Sequence, residues 1–303
     1  GIGAIIGGGI FVLTGTGAYY NAGPALALSF VIAGIACVFA ALCYAEFASI
    51  LPVEGSAYAY AYGTVGEIFA WIIGWGLILE YAMGSMTVAV SWSGYFAKML
   101  KMVGLHLPYW MTTDPGTANK AFGEASRQIA AGNLSLEKLQ TFQETISNFN
   151  AAPELFNMKL FLNLPALCIV LFVISILIRG TKGAAKANNF IVVLKVSAII
   201  FVIIAGIFFI NVDNWMPFIP AATTITENGV SHPAYGISGV VAGASAIFFA
   251  YVGFDAVSTQ AGEAINPKKD VPFAIITSLI VCTVLYILVS LVLTGMMHYT
   301  DFN

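Results

Sequence analysis

Long apolar runs separated by short polar connections dominate the chain, at 24–50, 66–97, 161–178, 189–211, 237–262 and 273–297, with a partial run at 1–17. A helix needs about 20 apolar residues to cross a hydrocarbon core, so the pattern predicts seven membrane segments. Lipid offers no partner to backbone polar groups, which makes each segment a helix and the whole an all-α polytopic membrane protein. The stretch SAYAYAYG at 56–63 alternates like a strand, but an open strand cannot lie in lipid, so an amphipathic piece on the cytoplasmic side is expected there. In the long connection 98–160, Leu136, Leu139, Phe142, Ile146 and Phe149 recur every three or four residues after Asn133, a capping residue type. That spacing predicts a short helix, either a lid on the membrane domain or a partner-docking site. The chain opens without Met inside its first apolar run and stops soon after its last, which reads as a fragment covering part of the first helix through the seventh.

Composition agrees with the pattern. Of 303 residues, 59% are hydrophobic and 9% charged, and the mean hydropathy is +0.88. A net charge of −3 leaves no basic face for nucleic acid, and lipid is the expected surroundings. Cys37, Cys43, Cys168 and Cys282 fall within apolar runs without CxxC spacing and read as packing residues, not as a disulfide frame or a metal site. Arg179, Lys182 and Lys186 cluster in one short connection and Lys268 and Lys269 in another, so the positive-inside rule puts both, and the N-terminus, on the cytoplasmic side. The long connection then lies outside; its Lys98, Lys101, Lys120, Arg127, Lys138 and Lys159 are diluted by acids at a length where the rule weakens.

Two segments carry signs of broken helix. The first reads GIGAIIGGGIF, and each glycine costs a helix about 1 kcal/mol relative to alanine, so an unwound stretch is expected near Ile6 to Gly9. Backbone N–H groups freed there, at the positive end of a half-helix, suit the α-carboxylate of an amino acid. The other reading is a GxxxG packing face formed by Gly3 and Gly7. In the sixth segment Gly243 and Gly253 bracket Phe248, Phe249 and Tyr251, either plain core or a ring cover for a bound molecule. Paired breaks in separate parts of a chain point to a midplane site in an inverted-repeat transporter.

Lys195 lies inside FIVVLKVSAIIFVIIAGIFFI, where a lone ammonium costs roughly 2.5–3.5 kcal/mol on insertion scales. Glu80, Asp255 and Glu46 are the carboxylates nearest such depth, with Glu46 close to a helix end. A carboxylate facing a buried lysine couples the two titrations, the physics of a proton relay, and Glu80 and Asp255 are the expected partners. Lys195 is about two turns, roughly 9 Å, from Asn189, so snorkelling toward the cytoplasm is the competing reading.

GIGAIIGGGIFVLTG, LPVEGSAYAYAYGTVGE, WIIGWGLILEYAMG, NNFIVVLKV and FFAYVGFDAVSTQAGEAINPKKDVPFAI together resemble the amino acid permeases of the amino acid–polyamine–organocation (APC) superfamily, and most of all bacterial relatives of cationic amino acid transporters. The resemblance implies a LeuT-type fold of inverted repeats, with the first repeat at 1–211 and the start of the second at 212–303. It implies a substrate site at Ile5, Gly8 and Gly9 in the first helix and at Phe249, Ala250 and Val252 in the sixth, with Phe249 as the aromatic gate. Lys195 matches the lysine that takes the place of sodium in proton-coupled members, and Glu80, Asp255 and Tyr286 match polar positions around it. The resemblance therefore implies proton-coupled uptake of an L-amino acid across the plasma membrane, with the proton as coupling ion and no sodium or other cofactor. Gly8 stands where many relatives have Ser or Thr, so one hydroxyl for the carboxylate is missing. The eighth helix, which shapes the side-chain pocket, lies outside this chain; Gly8 and Ala250 lean toward small neutral substrates such as alanine. Whether a small membrane partner associates stays open.

Enzyme classes fit poorly. An intramembrane aspartyl protease needs two membrane aspartates, and Asp255 stands alone; a membrane Ser–His pair is lacking, since His106, His232 and His298 lie near or beyond segment ends. An amino-acid sensor or a channel remains the alternative to a carrier, because the same pocket can bind without cycling.

Overall fold

The computed structural model describes residues 1–132, 136–155, 158–178, 180–227 and 230–302. Asn133, the expected cap, and Arg179 of the basic cluster lie outside the described residues. Helices account for nearly all regular structure: α1 (Ile2–Ile5), α2 (Gly9–Gly17), α3 (Leu26–Ile50), α4 (Ser56–Thr64), α5 (Glu67–Met102), α6 (Pro115–Ala131), α7 (Leu136–Asn150), α8 (Leu164–Ile178), α9 (Thr181–Ile207), α10 (Gly236–Ile247) and α11 (Pro267–Met296). Two small antiparallel hairpins, Glu154–Leu155 with Met158–Lys159 and Thr223–Glu227 with Val230–Ala234, complete the list.

Among the described residues, five helical stretches are long and apolar enough to cross a membrane: Val12–Ile50, Glu67–Met102, Ala185–Ile207, Gly236–Glu263 and Pro267–Met296. The first stretch holds the expected segment 24–50 and the end of the expected 1–17. A π-turn at Ala18–Ala22 and a 3-10 turn at Gly23–Ala25 separate α2 from α3, with Gly23 at φ 59°. The expected segment 161–178 is shorter, helical only from Leu164, over 15 residues.

The chain forms two compact units, one of residues 1–81 with 185–303, the other of residues 82–184. Packing groups the chain differently from the expected repeats 1–211 and 212–303, which are defined by topology. In the first unit the core lies between α3 and α11. Phe30, Ala33, Gly34, Cys37, Ala41 and Ala48 make one buried stripe of α3 at helical spacing, and Ile275, Leu279, Cys282, Tyr286 and Val289 make that of α11. Small residues on α3 let the backbones approach, as dispersion-driven packing in lipid requires. The outward stripe of α3, Ile35, Phe39 and Leu42, is exposed and suits lipid. The alternating stretch at 56–63 is the helix α4, which buries Ser56, Tyr60 and Ala61.

The second unit holds the α6–α7 pair. The periodicity at 136–149 does form a helix, α7, with Phe149 stacked on Phe122 of α6 at 4.3 Å. Helix α6 itself was not anticipated, although its start is written as Asp-Pro: Asp114 caps it by accepting the Thr117 N–H at 2.9 Å, and Pro115 takes the first turn.

Candidate functional site

The site is built from two helix interruptions within the first unit. Helix α1 ends at Ile5 and α2 begins at Gly9, so the expected break at 6–9 is an interruption at residues 6–8. Ile6 is extended at φ −73° and ψ 91°. Gly8, the N-cap of α2, has no side chain to cap the first amides of that helix. Helix α10 stops at Ile247; residues Phe248–Tyr251 tighten to 3-10, Val252 is extended, and Gly253 takes φ 112°. A 3-10 stretch then runs from Asp255 to Glu263.

The two breaks touch. A Cβ on Gly9 would come within 2.9 Å of Ala250 Cβ, and one on Gly253 within 2.8 Å of the Ala4 carbonyl oxygen. Glycine at 253 is required twice over, by its positive φ and by this approach. This contact accounts for Gly9 and Gly253; Gly3, of the alternative GxxxG reading, packs instead against α9, where a Cβ would come within 2.6 Å of Val192.

Broken helix leaves carbonyls without intrahelical donors, and two side chains, Lys195 and Tyr286, donate to carbonyls of the breaks. Lys195 Nζ donates to Gly3 O at 2.7 Å and to Ile6 O at 2.5 Å. Its cost in lipid is offset by these charge-assisted bonds, with no snorkelling toward an end. Tyr286 OH lies 3.0 Å from Ile5 O and 2.9 Å from Ala250 O. A phenol has one proton, so that proton is shared between the two breaks. Tyr251 OH donates to Phe30 O of α3 at 2.9 Å. Tyr251 and Tyr286 are both fully buried.

Of the residues singled out in the sequence, Ile5, Gly8, Gly9, Ala250, Val252, Lys195 and Tyr286 therefore gather around the paired breaks. Phe249 stands beside them with its ring 72% exposed, edge-on to Phe248 at 6.3 Å. The carboxylates do not join Lys195. Asp255, 6% exposed, accepts instead from Tyr81 OH at 2.9 Å, and Glu80 makes neither a hydrogen bond nor an ion pair with Lys195. Among the described residues the ion pair formed is Lys159–Glu154, in the second unit. The correction has a plain cause: unwound backbone already presents Lys195 with acceptors at contact distance, which no apolar pattern in the sequence reveals.

Tyr81 was missed. It adjoins Glu80, but one residue is about 100° of helix rotation, and it is Tyr81 that turns to Asp255. Only the three-dimensional arrangement distinguishes the two.

A family profile of amino acid permeases matches residues 1–299. The chain is 43% identical over its whole length to the methylthioribose transporter of Bacillus subtilis, covering 54% of that protein. It is 42% identical, again over its whole length, to the branched-chain amino acid permease BcaP of the same organism, covering 54%. It is 33% identical over 99% of its length to cationic amino acid transporter 3, mitochondrial, of Arabidopsis thaliana, covering 41%. The chain thus spans about half the length of the curated relatives it matches.

Proposed function

Because the chain belongs to the amino acid permease family, as a multi-pass membrane protein, we propose that it is the substrate-binding half of a proton-coupled amino acid carrier. In this reading the carrier has the LeuT-type fold, sits in the plasma membrane with its N-terminus cytoplasmic, and works by alternating access without sodium. The L-amino acid binds where the two breaks meet. Its carboxylate faces the uncapped amides at Gly8 and Gly9, its amino group the carbonyls at Phe249, Ala250 and Val252, and the exposed Phe249 ring closes over it. Glu80, Asp255 and Tyr286 are the polar groups through which the proton is passed or its effect transmitted.

The observation that carries the proposal is the bonding of Lys195 to Gly3 O and Ile6 O. Charged, the ammonium ties α9 to the interruption of the first helix; losing its proton weakens both bonds by about half, which loosens α1. A group that biases one conformation only while protonated couples a proton gradient to a conformational equilibrium. No enzymatic chemistry is invoked, in keeping with relatives that are transporters.

The test is sodium-free uptake of labelled alanine by proteoliposomes holding the intact protein, wild type and Lys195→Ala, under an inward proton gradient. Arginine, a branched-chain amino acid and methylthioribose serve as competitors, the last two being the cargo named for two relatives. Gradient-driven uptake of at least one of them in wild type, lost in the variant, is the expected result. Uptake indifferent to the gradient would sink the coupling role, and binding without concentrative uptake would leave a sensor.

A further inference from the structure

Tyr251 is neither a substrate-binding nor a proton-coupling residue in the reading above, yet its hydroxyl makes the one side-chain bond that fastens the 3-10 turn Phe248–Tyr251 to α3 among the described residues. The bond ends on Phe30 O, 221 residues away in sequence. It is seated in a notch. A Cβ on Gly34, one turn along α3, would stand 3.3 Å from the Tyr251 hydroxyl and 2.9 Å from Thr283 Cγ2 of α11, so glycine there makes the room. The ring packs against two others, 6.4 Å and edge-on from Phe30, and 5.3 Å and tilted from Tyr286. Tyr251 is fully buried.

The turn so fastened carries the groups that matter. Ala250 O accepts from Tyr286, Ala250 meets Gly9 of the other break, and Val252 leaves the turn extended. A 3-10 turn followed by extended backbone has few internal bonds to hold its peptide planes, and the neighbouring Phe249 side chain is open. The Tyr251 hydroxyl, next to Ala250 in the chain, therefore acts with the Tyr286 bond to Ala250 O in setting the direction of these carbonyls.

We infer that Tyr251 is a positioning residue for substrate binding: its hydroxyl, seated in the Gly34 notch, aims the main-chain acceptors at Phe249, Ala250 and Val252. The inference rests on the carrier reading for the identity of the ligand, but the anchoring does not. Tyr251→Phe removes the hydroxyl and keeps the ring; Gly34→Ala keeps the hydroxyl and fills the notch. Both displace the same anchor from opposite sides, whereas a ring needed merely for packing would tolerate the first.

The intact protein is compared as wild type, Y251F and G34A by hydrogen exchange over 248–254 and by substrate saturation of uptake. Both variants are expected to exchange faster at 248–254 with 236–247 unchanged, and to raise the apparent KM about fivefold, the weight of one hydrogen bond, at little change in maximal rate. Unchanged exchange at 248–254 in Y251F overturns the anchor. Faster exchange with an unchanged KM overturns its role in substrate positioning. If wild type takes up nothing, the carrier reading fails, and faster exchange in both variants still establishes the anchor.

Discussion

The hydroxyl of Tyr286 lies 3.0 Å from the carbonyl of Ile5, a residue 281 positions earlier in the chain, and reaches Ala250 from the same point. One phenol thus joins the interruptions of two helices to α11. Tyr286→Phe keeps the ring and removes both bonds: Ile5 O keeps the Gly7 N–H at 2.9 Å, whereas Ala250 O loses its phenolic donor. We expect a loss of about 1–3 kcal/mol in stability, read as a lowered melting temperature of the purified intact protein. An unchanged melting temperature would show that the Ala250 carbonyl finds another donor.

Lys195→Met retains most of the side-chain volume but no donor. Gly3 O and Ile6 O then lose their side-chain partner, and exchange of amides 2–9 should accelerate while 26–50 stays protected. Equal protection in variant and wild type would mean that the interruption is held without the ammonium.

Gly253→Ala and Gly66→Ala separate two costs of filling a glycine. Both have positive φ, 112° and 109°, but a Cβ at 66 meets nothing within 4 Å whereas one at 253 meets the Ala4 backbone at 2.8 Å. Strain alone costs about 1–2 kcal/mol. The substitution at 253 should cost clearly more, and comparable melting temperatures would refute the close approach of the two breaks.

Tyr81→Phe deprives the buried Asp255 of its phenolic donor. Leaving a buried acceptor short of its donor costs about 1–3 kcal/mol. Tyr62→Phe, which removes an exposed bond to Glu67 at 3.2 Å, is the comparison and should be close to neutral. Similar melting temperatures for both variants would contradict the buried latch.

Asp114 titrates outside the membrane spans. The Thr117 hydroxyl, and then its backbone N–H, hold the Asp114 carboxyl below the usual carboxylate range. A lowered folded value means that the cap's contribution is complete above the unfolded value near 3.9 and fades as pH falls through the folded one. Pepsin should cut within 115–131 faster in Asp114→Ala than in wild type at pH 4, and the difference should close toward pH 2. A difference that grows on acidification would reverse the sign.

Much of the architecture was legible along the chain because a membrane imposes a crude rule on sequence: apolar runs of a given length must be helices. The periodicity of 136–149 and the glycine-rich break at 6–9 belong to the same class of local signal. The start of α6 was equally local, in Asp114 and Pro115, and was overlooked beside the louder pattern of α7.

What the sequence determined by itself is the helical membrane class, the order of the segments, the positions where helix cannot continue, and the presence of one ammonium and two carboxylates at depth. Only tertiary structure decided who meets whom: Lys195 with Gly3 and Ile6, Tyr286 with both breaks, Asp255 with Tyr81 in place of Lys195. The reason is physical. Propensity and hydropathy act on neighbours a few residues apart, whereas these bonds end on backbone carbonyls and rotations of helix faces, which carry no residue-type signature and take their positions from packing between segments far apart in the chain.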